Sequence, residues 1–152
     1  ITGGKILSIM LFCAVLSRIM FGYISDIIGP LKTLLIGSTL QMITLILFIP
    51  FNNLIGLYVV SILFGLSQGG IVPSYALIVK KYLPNKDAAE RIGLIIFFTI
   101  IGMSIGGWMS GKIYDYTNSY SLGFLNSILW NLLNVIIIFY LFVSFKKSKV
   151  SI

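Results

Sequence analysis

The chain consists of long apolar runs separated by short polar segments. Five runs, at residues 6–24, 31–49, 54–79, 92–111 and 122–145, each contain at least 19 residues. A helix of that length crosses a hydrocarbon core of about 30 Å, because each residue adds about 1.5 Å. Pro50, Asn52 and Asn53 separate the second run from the third, and polar segments at 80–91 and 113–121 separate the others. The pattern predicts an all-α membrane protein with five transmembrane helices.

Composition supports this prediction. Hydrophobic residues make up 58% of the chain and charged residues only 10%, whereas about a quarter of the residues of a soluble domain are charged. The mean hydropathy is +1.04. The 47 residues from Thr33 to Val79 carry no charge, which a water-facing surface would not allow. We therefore expect an integral, multi-pass membrane protein in contact with lipid.

The charges also predict how the spans are oriented. If the segment around Asp26 is cytoplasmic, eight cations share its side: Lys32, Lys80, Lys81, Lys86, Arg91, Lys146, Lys147 and Lys149. The opposite side has only Lys5 and Lys112, and Arg18 lies inside a span. Cytoplasmic loops of membrane proteins are enriched in lysine and arginine. The net charge of +7 therefore indicates topology, and a nucleic-acid partner is not expected because no soluble basic face is present.

A charged motif lies where the first two apolar runs meet. In SRIMFGYISDIIGPLK (17–32), the spacing G-x-x-x-D-x-x-G-x-x-K is formed by Gly22, Asp26, Gly29 and Lys32. Asp26 is the only carboxylate in the first 86 residues. The spacing resembles the loop signature of the major facilitator superfamily of transporters, found at the cytoplasmic turn after the second helix of each half. Ile27 replaces the basic residue usual after the aspartate. The resemblance implies a loop that acts during conformational change.

The rest of the chain extends the resemblance. The segments GLSQGGIVPSYALIVKKYLP (65–84) and GMSIGGWMSGKIYDYTNSY (102–120) follow the order of the family's C-terminal half. The five spans look like helices eight to twelve of a twelve-helix protein, most similar in pattern to its monocarboxylate and oxalate/formate transporters. Since the chain starts at Ile1 without Met or a signal-peptide n-region, we expect a fragment whose missing N-terminal half belongs to the same polypeptide. Residues 1–145 then form a partial transmembrane domain and residues 146–152 a cytoplasmic tail, in the plasma (cytoplasmic or inner) membrane.

Arg18 is the leading candidate for substrate contact. It lies eight residues before Asp26, about 12 Å deeper along a helix. A guanidinium group there is costly unless it meets water, a carboxylate or a carbonyl dipole. It binds carboxylates with two parallel hydrogen bonds, which suits an organic anion, and the resemblance implies such an arginine on this helix. The alternative is that Arg18 extends to the headgroups or braces neighbouring helices.

Other polar residues within the spans are weaker candidates. Gln68 and Tyr75 lie near one face of the third span, and the resemblance implies that this helix lines the substrate cavity. Hydrogen bonding between helices is the alternative for both. Gln41, Asn126, Asn131 and Asn134 fall on helices that the resemblance places at the periphery, where we expect packing roles. Pro73 is expected to kink the third span, because proline removes a helical hydrogen bond.

The chain has few of the residue types that enzymes use in catalysis. The chain has no histidine, one cysteine (Cys13) and four carboxylates. These counts exclude histidine-ligated metal sites, histidine-based triads and an internal disulfide. We expect no catalytic residues, no metal and no cofactor.

Two classes of function remain open. The first is a secondary transporter that moves a small organic anion, such as a monocarboxylate, by alternating access with proton coupling or exchange. A carrier of sugars or drugs in which Arg18 is structural belongs to the same class. The second is a membrane sensor or scaffold that keeps the fold without transporting. Arg18 and the Gly22, Asp26 and Gly29 pattern favour transport.

Overall fold

The computed structural model describes residues 2–51, 53–84 and 86–150. These residues form the helices α1 (Thr2–Ile28), α2 (Pro30–Leu47), α3 (Leu54–Gln68), α4 (Ile71–Tyr82), α5 (Ala88–Thr117) and α6 (Tyr120–Val150). No strand occurs in the part of the chain described. Ile1, Asn52 of the predicted polar turn, Asn85 of the segment 80–91, and Ser151 and Ile152 of the predicted tail lie outside it.

Five stretches of this structure are long and apolar enough to cross a membrane. Four are the single helices α1, α2, α5 and α6, and the fifth is Leu54–Tyr82, which α3 and α4 form together. The prediction of an all-α membrane protein with five spans is confirmed.

The polar connections are shorter than the sequence indicates, because the helices continue into them. Helix α4 ends at Tyr82 and α5 begins at Ala88, so the predicted loop 80–91 narrows to residues 83–87. Helix α5 runs to Thr117, and Asn118, in the left-handed conformation with φ of 48°, ends it. Helix α6 continues to Val150, which makes most of the predicted tail 146–152 helical.

A break at Gly69 and Gly70 divides the third span into α3 and α4. Pro73 has no backbone N–H, so it cannot donate to the carbonyl of Gly69 four residues earlier. The amide and hydroxyl groups of Ser74 both donate to the carbonyl of Gly70, at 3.3 and 2.7 Å, and so begin the hydrogen bonding of α4. The interruption that Pro73 predicts is therefore present, one turn before the proline.

Helices α1 and α3 pack closely through small residues. A methyl group added to Gly65 would collide with the carbonyl of Met10, and one added to Gly69 would collide with the carbonyl of Ala14. The hydroxyl of Ser17 donates to the carbonyl of Leu66 across the same contact. Glycines four residues apart let helix backbones approach in this way, so α1 is fixed against the half of the third span that precedes the break.

The remaining helices differ in how many of their residues are buried against the rest of the structure. Leu31 and Leu34 of α2, Ile71 of α4 and Ile138 of α6 form a buried apolar cluster. Helix α5, by contrast, has no buried residue in the part of the chain described. The core therefore lies among α1 to α4 and α6, and α5 is attached along one side only.

Candidate functional site in the membrane

The connection between α1 and α2 is a single residue, Gly29. Its φ is 90° and its ψ is 151°, a region that essentially only glycine occupies. Its amide donates to the carbonyl of Ser25 at 2.9 Å, and its carbonyl accepts from the amide of Thr33 at 3.1 Å. Pro30 opens α2, where a missing N–H costs nothing. Gly29 of the predicted loop signature is thus needed for the backbone conformation of the turn between α1 and α2.

The other residues of this signature surround the end of α1. Asp26 shares a cavity of about 200 Å³ with Lys80 and Lys81, which come from the last turn of α4. The ammonium nitrogen of Lys81 lies 3.4 Å from the point that a methyl group on Gly29 would occupy. Lys32 is exposed, and a methyl group on Gly22 would meet nothing within 4 Å. The structure therefore brings the carboxylate of Asp26 to the two lysines of α4.

Arg18 lies on α1 at the border of its packed face. Its neighbour Ser17 is buried against α3, whereas Arg18 itself is exposed. Ten residues separate it from the end of α1 at Ile28, which is about 15 Å along the helix. Arg18 lines neither the cavity at Asp26 nor the larger cavity described below. Arg18 thus lies within the first apolar span, on an exposed side of α1.

Tyr75 and Gln68 lie on the other side of the third span. The hydroxyl of Tyr75 donates to Oδ1 of Asn134 on α6 at 3.4 Å, and Nδ2 of Asn134 donates to the hydroxyl of Ser38 on α2 at 3.2 Å. Nearby, Nδ2 of Asn131 donates to Oε1 of Gln41 at 2.8 Å. We call Ser38, Gln41, Tyr75, Asn131 and Asn134 the amide cluster. It joins α2, α4 and α6 by hydrogen bonds.

A cavity of about 920 Å³ opens beside the amide cluster. Helices α2, α3, α5 and α6 all contribute to it, and we call it the four-helix cavity. Its polar lining is neutral, and its amides are Gln41, Gln68, Asn126, Asn131 and Asn134. One buried polar atom among its lining residues has no hydrogen-bond partner within the described part of the chain: Oδ1 of Asn131, a residue with only 9% of its surface exposed.

The structure thus separates the three residues predicted to contact substrate. Tyr75 belongs to the amide cluster and Gln68 lines the cavity beside it, whereas Arg18 lines neither cavity. The sequence assigns Gln41, Asn131 and Asn134 alike to packing, but it does not indicate which of them pair, and it gives no signal for Ser38. Their partners are 90 and 96 positions away in the sequence, so spacing carries no signal for these contacts. The sequence does show three asparagines on one apolar helix, at 126, 131 and 134, and these indicate hydrogen bonding between helices.

The described residues offer no site for a metal ion. They contain no group of three or more histidine, cysteine, aspartate or glutamate side chains that could hold one. The polar chemistry of this region is therefore that of one guanidinium group, neutral amides and the Asp26–lysine cavity.

Comparison with known proteins identifies the family. The model of the Major Facilitator Superfamily matches residues 2–151. The chain is similar to "Monocarboxylate transporter 10" of Rattus norvegicus, 28% identical over 116 residues, which are 70% of this chain and 21% of that protein. It is also similar to "Probable anion transporter 5" of Arabidopsis thaliana, 27% identical over 135 residues, which are 86% of this chain and 31% of that protein.

The chain therefore spans about a fifth and about a third of the length of these two curated relatives. No solved structure gives a significant match. The five apolar spans and the transporter relatives agree on a multi-pass integral membrane protein. Since the family model matches almost every residue, this chain belongs to the Major Facilitator Superfamily.

Proposed function

We propose that this chain is part of a secondary transporter that moves a small organic anion by alternating access, coupled to a proton or to exchange. The single observation that carries the proposal is Arg18, a cation about 15 Å inside the end of α1. A cation at the centre of a membrane helix costs about 2.5–3.5 kcal/mol in insertion experiments. Asp26 is the only carboxylate in the first 86 residues, and it is about 12 Å away along the helix. An anionic substrate supplies the missing counter-charge.

The surroundings of Arg18 support this role. Ser17, the preceding residue, bonds to the carbonyl of Leu66 just before the break in the third span. Substrate sites of transporters often border such interrupted helices. The two relatives are named for a monocarboxylate and for an anion. Their names favour a carboxylate-like substrate over a sugar or a drug.

Gln68 and Tyr75 have a smaller part in this proposal. Tyr75 is already hydrogen-bonded to Asn134, and Gln68 lines the neutral four-helix cavity. We assign them to contacts between helices, the alternative that the sequence left open. Arg18 alone is then the group that binds the substrate.

The loop at Asp26 completes the proposed mechanism. The carboxylate shares its cavity with Lys80 and Lys81, so a modest approach of α1 to α4 forms an ion pair. We propose that this pair forms in one conformational state and opens in the other. The same proposal places the Asp26 loop and the C-terminal end in the cytoplasm, by the distribution of cations, and the protein in the plasma membrane.

The test compares Arg18→Lys and Arg18→Gln in the full-length protein. Uptake of labelled lactate, formate or oxalate into proteoliposomes should fall about tenfold in Arg18→Lys, because one charge-assisted hydrogen bond of about 1.5 kcal/mol is lost with the forked geometry. Uptake should be nearly abolished in Arg18→Gln, although that protein still inserts because a cation is removed from a membrane-spanning segment.

Arg91→Lys is the matched control, since Arg91 lies near the start of α5 and outside both cavities. It should transport like the wild type. If Arg18→Lys and Arg18→Gln also transport these anions like the wild type at equal protein level, Arg18 is structural. The assignment of the substrate site to Arg18 then fails. If the wild type itself takes up none of these anions, the organic-anion proposal fails, and a sugar or drug substrate replaces it.

A further inference from the structure

The ring of Phe21 on α1 fills a space between α2 and the break in the third span. A methyl group added to Gly70 would collide with Cβ, Cγ and Cδ1 of Phe21, and one added to Gly37 of α2 would lie 3.3 Å from its Cε1. We call the space that Gly37 and Gly70 leave the glycine notch. Phe21 has only 8% of its surface exposed, so two other elements enclose its ring.

The glycine notch lies where the hydrogen bonding of the third span is interrupted. Gly70 separates α3 from α4, and Pro73 leaves the carbonyl of Gly69 without its backbone donor. Helices change direction at such interruptions. The three atoms nearest to a methyl group on Gly70 all belong to Phe21. A change in the angle between α3 and α4 must therefore displace this ring.

The same ring bears on the direction in which Arg18 faces. Ser17, Phe21 and Ser25 are the buried residues of α1, and at about 100° per residue they form a stripe about 80° wide. Arg18 is exposed and lies about 60° from Phe21 around the helix. A turn of α1 in one direction would press the guanidinium group into the packed side, and the opposite turn would carry it away. The ring in the glycine notch opposes both turns.

From these contacts we infer that Phe21 is a positioning residue, which fixes the rotation of α1 and so transmits the state of the break in the third span to Arg18. The inference rests on the proposed function, because there Arg18 is the group that binds the anion. Phe21 lines neither cavity, so it acts on the substrate through Arg18. When α1 turns, the guanidinium group no longer meets a carboxylate with two parallel hydrogen bonds.

Spin labels measure the rotation of α1 whichever substrate is carried. Arg18→Cys and Leu129→Cys carry nitroxides in full-length protein without other cysteines, and Leu129 of α6 is 66% exposed. In Phe21→Leu the distance between the labels should shift by about 4 Å, because a group about 6 Å from the axis moves that far when a helix turns by about 40°. Phe12→Leu is the matched control on the same helix, since Phe12 is 65% exposed, and should cause no shift. An unchanged distance in Phe21→Leu would overturn the inference.

Gly37→Ala tests the same contact from α2, and it keeps the test decisive if Phe21→Leu folds poorly. Its methyl group would lie 3.3 Å from Cε1 of Phe21, so it should displace the ring and shift the label distance. In the double variant the leucine has no Cε1, so the methyl group enters the vacated space and the distance should return towards the wild-type value. Additive shifts would show that the two substitutions do not act through one contact, and the inference would fail.

Transport kinetics separate positioning from packing. The KM of the labelled anion should rise about tenfold in Phe21→Leu, as expected when a binding group is misplaced, with a smaller change in the maximal rate. Ile138→Val removes a methyl group from the buried apolar cluster, so it is the control for lost stability and should leave KM unchanged. An equal rise in both variants would show that Phe21 only stabilises the fold.

The two measurements also distinguish this inference from the proposed function. If uptake depends on Arg18 but KM is unchanged in Phe21→Leu, the positioning role fails and the substrate site stands. If the label distance shifts while Arg18→Lys and Arg18→Gln transport like the wild type, the substrate site fails. The control of α1 rotation by Phe21 is then still supported.

Discussion

At the scale of single residues, the two glycines of the loop signature differ in why they are glycines. Gly29 has a φ of 90° and forms the whole connection between two helices. Gly22 is helical, and a side chain there would meet nothing within 4 Å. Backbone conformation therefore demands glycine at one position of the signature and not at the other.

This difference gives a prediction for stability. Gly29→Ala should destabilise the full-length protein by about 1–3 kcal/mol, because alanine is strained at this φ and ψ. Gly22→Ala, the control, should be neutral or stabilising by up to about 1 kcal/mol, since alanine is the better helix former. Thermal unfolding of both variants in detergent measures the effect. Melting temperatures in the reverse order would contradict the role assigned to Gly29.

Single residues also show where prediction from sequence stops. Arg18 and Asp26 are recognisable because a charge in an apolar run is costly and therefore rare. Asn131 and Asn134 are neutral and do not interrupt the run. Their role depends on Gln41 and Ser38, which only the packing of α6 against α2 brings close. The candidate site was thus predictable in its charges and not in its amides.

At the scale of helices, the contact of α1 with α3 depends on the absence of side chains. Gly65 of α3 and Gly69 just after it place the backbone of the third span directly against the carbonyls of Met10 and Ala14. A carbonyl is part of the helix backbone and cannot rotate away as a flexible side chain does. Any side chain added there must therefore move one helix as a whole.

We predict that Gly65→Ala or Gly69→Ala lowers the stability of the full-length protein by about 1–3 kcal/mol, the usual cost of overpacking. Gly93→Ala on α5 places the same methyl group in open space and should not destabilise. The fraction of protein that remains monodisperse after heating, measured by size-exclusion chromatography, gives the comparison. A loss as large in Gly93→Ala as in Gly65→Ala would disprove the close-contact explanation.

The helices themselves were largely predictable, because apolar runs of membrane-spanning length stand out from polar connections. The division of the third span was less so. Gly69, Gly70 and Pro73 are apolar or small, so hydropathy does not change where α3 ends. Pro73 correctly indicates an interruption of the third span. The break itself falls at Gly69 and Gly70, because the carbonyl of Gly69 is the one that Pro73 leaves without a backbone donor.

At the scale of the whole molecule, charge should set orientation. Asp26, Lys86 and Lys147 are expected on one side of the membrane, and Asn52 and Asn118 on the other. Single cysteines at these positions in a Cys13→Ser background, labelled with an impermeant thiol reagent, should report this arrangement in the full-length protein. Labelling of positions 52 and 86 from the same side would contradict five spans in this order.

Alternating access gives a second prediction at this scale. If Asp26 pairs with Lys80 or Lys81 in one state only, Asp26→Asn should slow transport about tenfold, since a charge-assisted contact is worth about 1.5 kcal/mol. Substrate affinity and expression should change little, because Arg18 is about 12 Å away. Lys112→Gln is the control for lost charge, as Lys112 is exposed, lies outside the loop signature and lines neither cavity. Transport by Asp26→Asn at the wild-type rate would leave Asp26 without a conformational role.

The single-residue turn at Gly29 also constrains how the protein is made. One residue spans only about 3.5 Å. The connection is therefore too short for α1 to move into lipid while α2 remains behind. We expect the two helices to leave the translocation channel together, as one hairpin. Asp26 and Lys32, which flank the turn, are then retained together at the surface where synthesis occurs. A defect in the apolar character of α2 would consequently appear first as failed integration of α1.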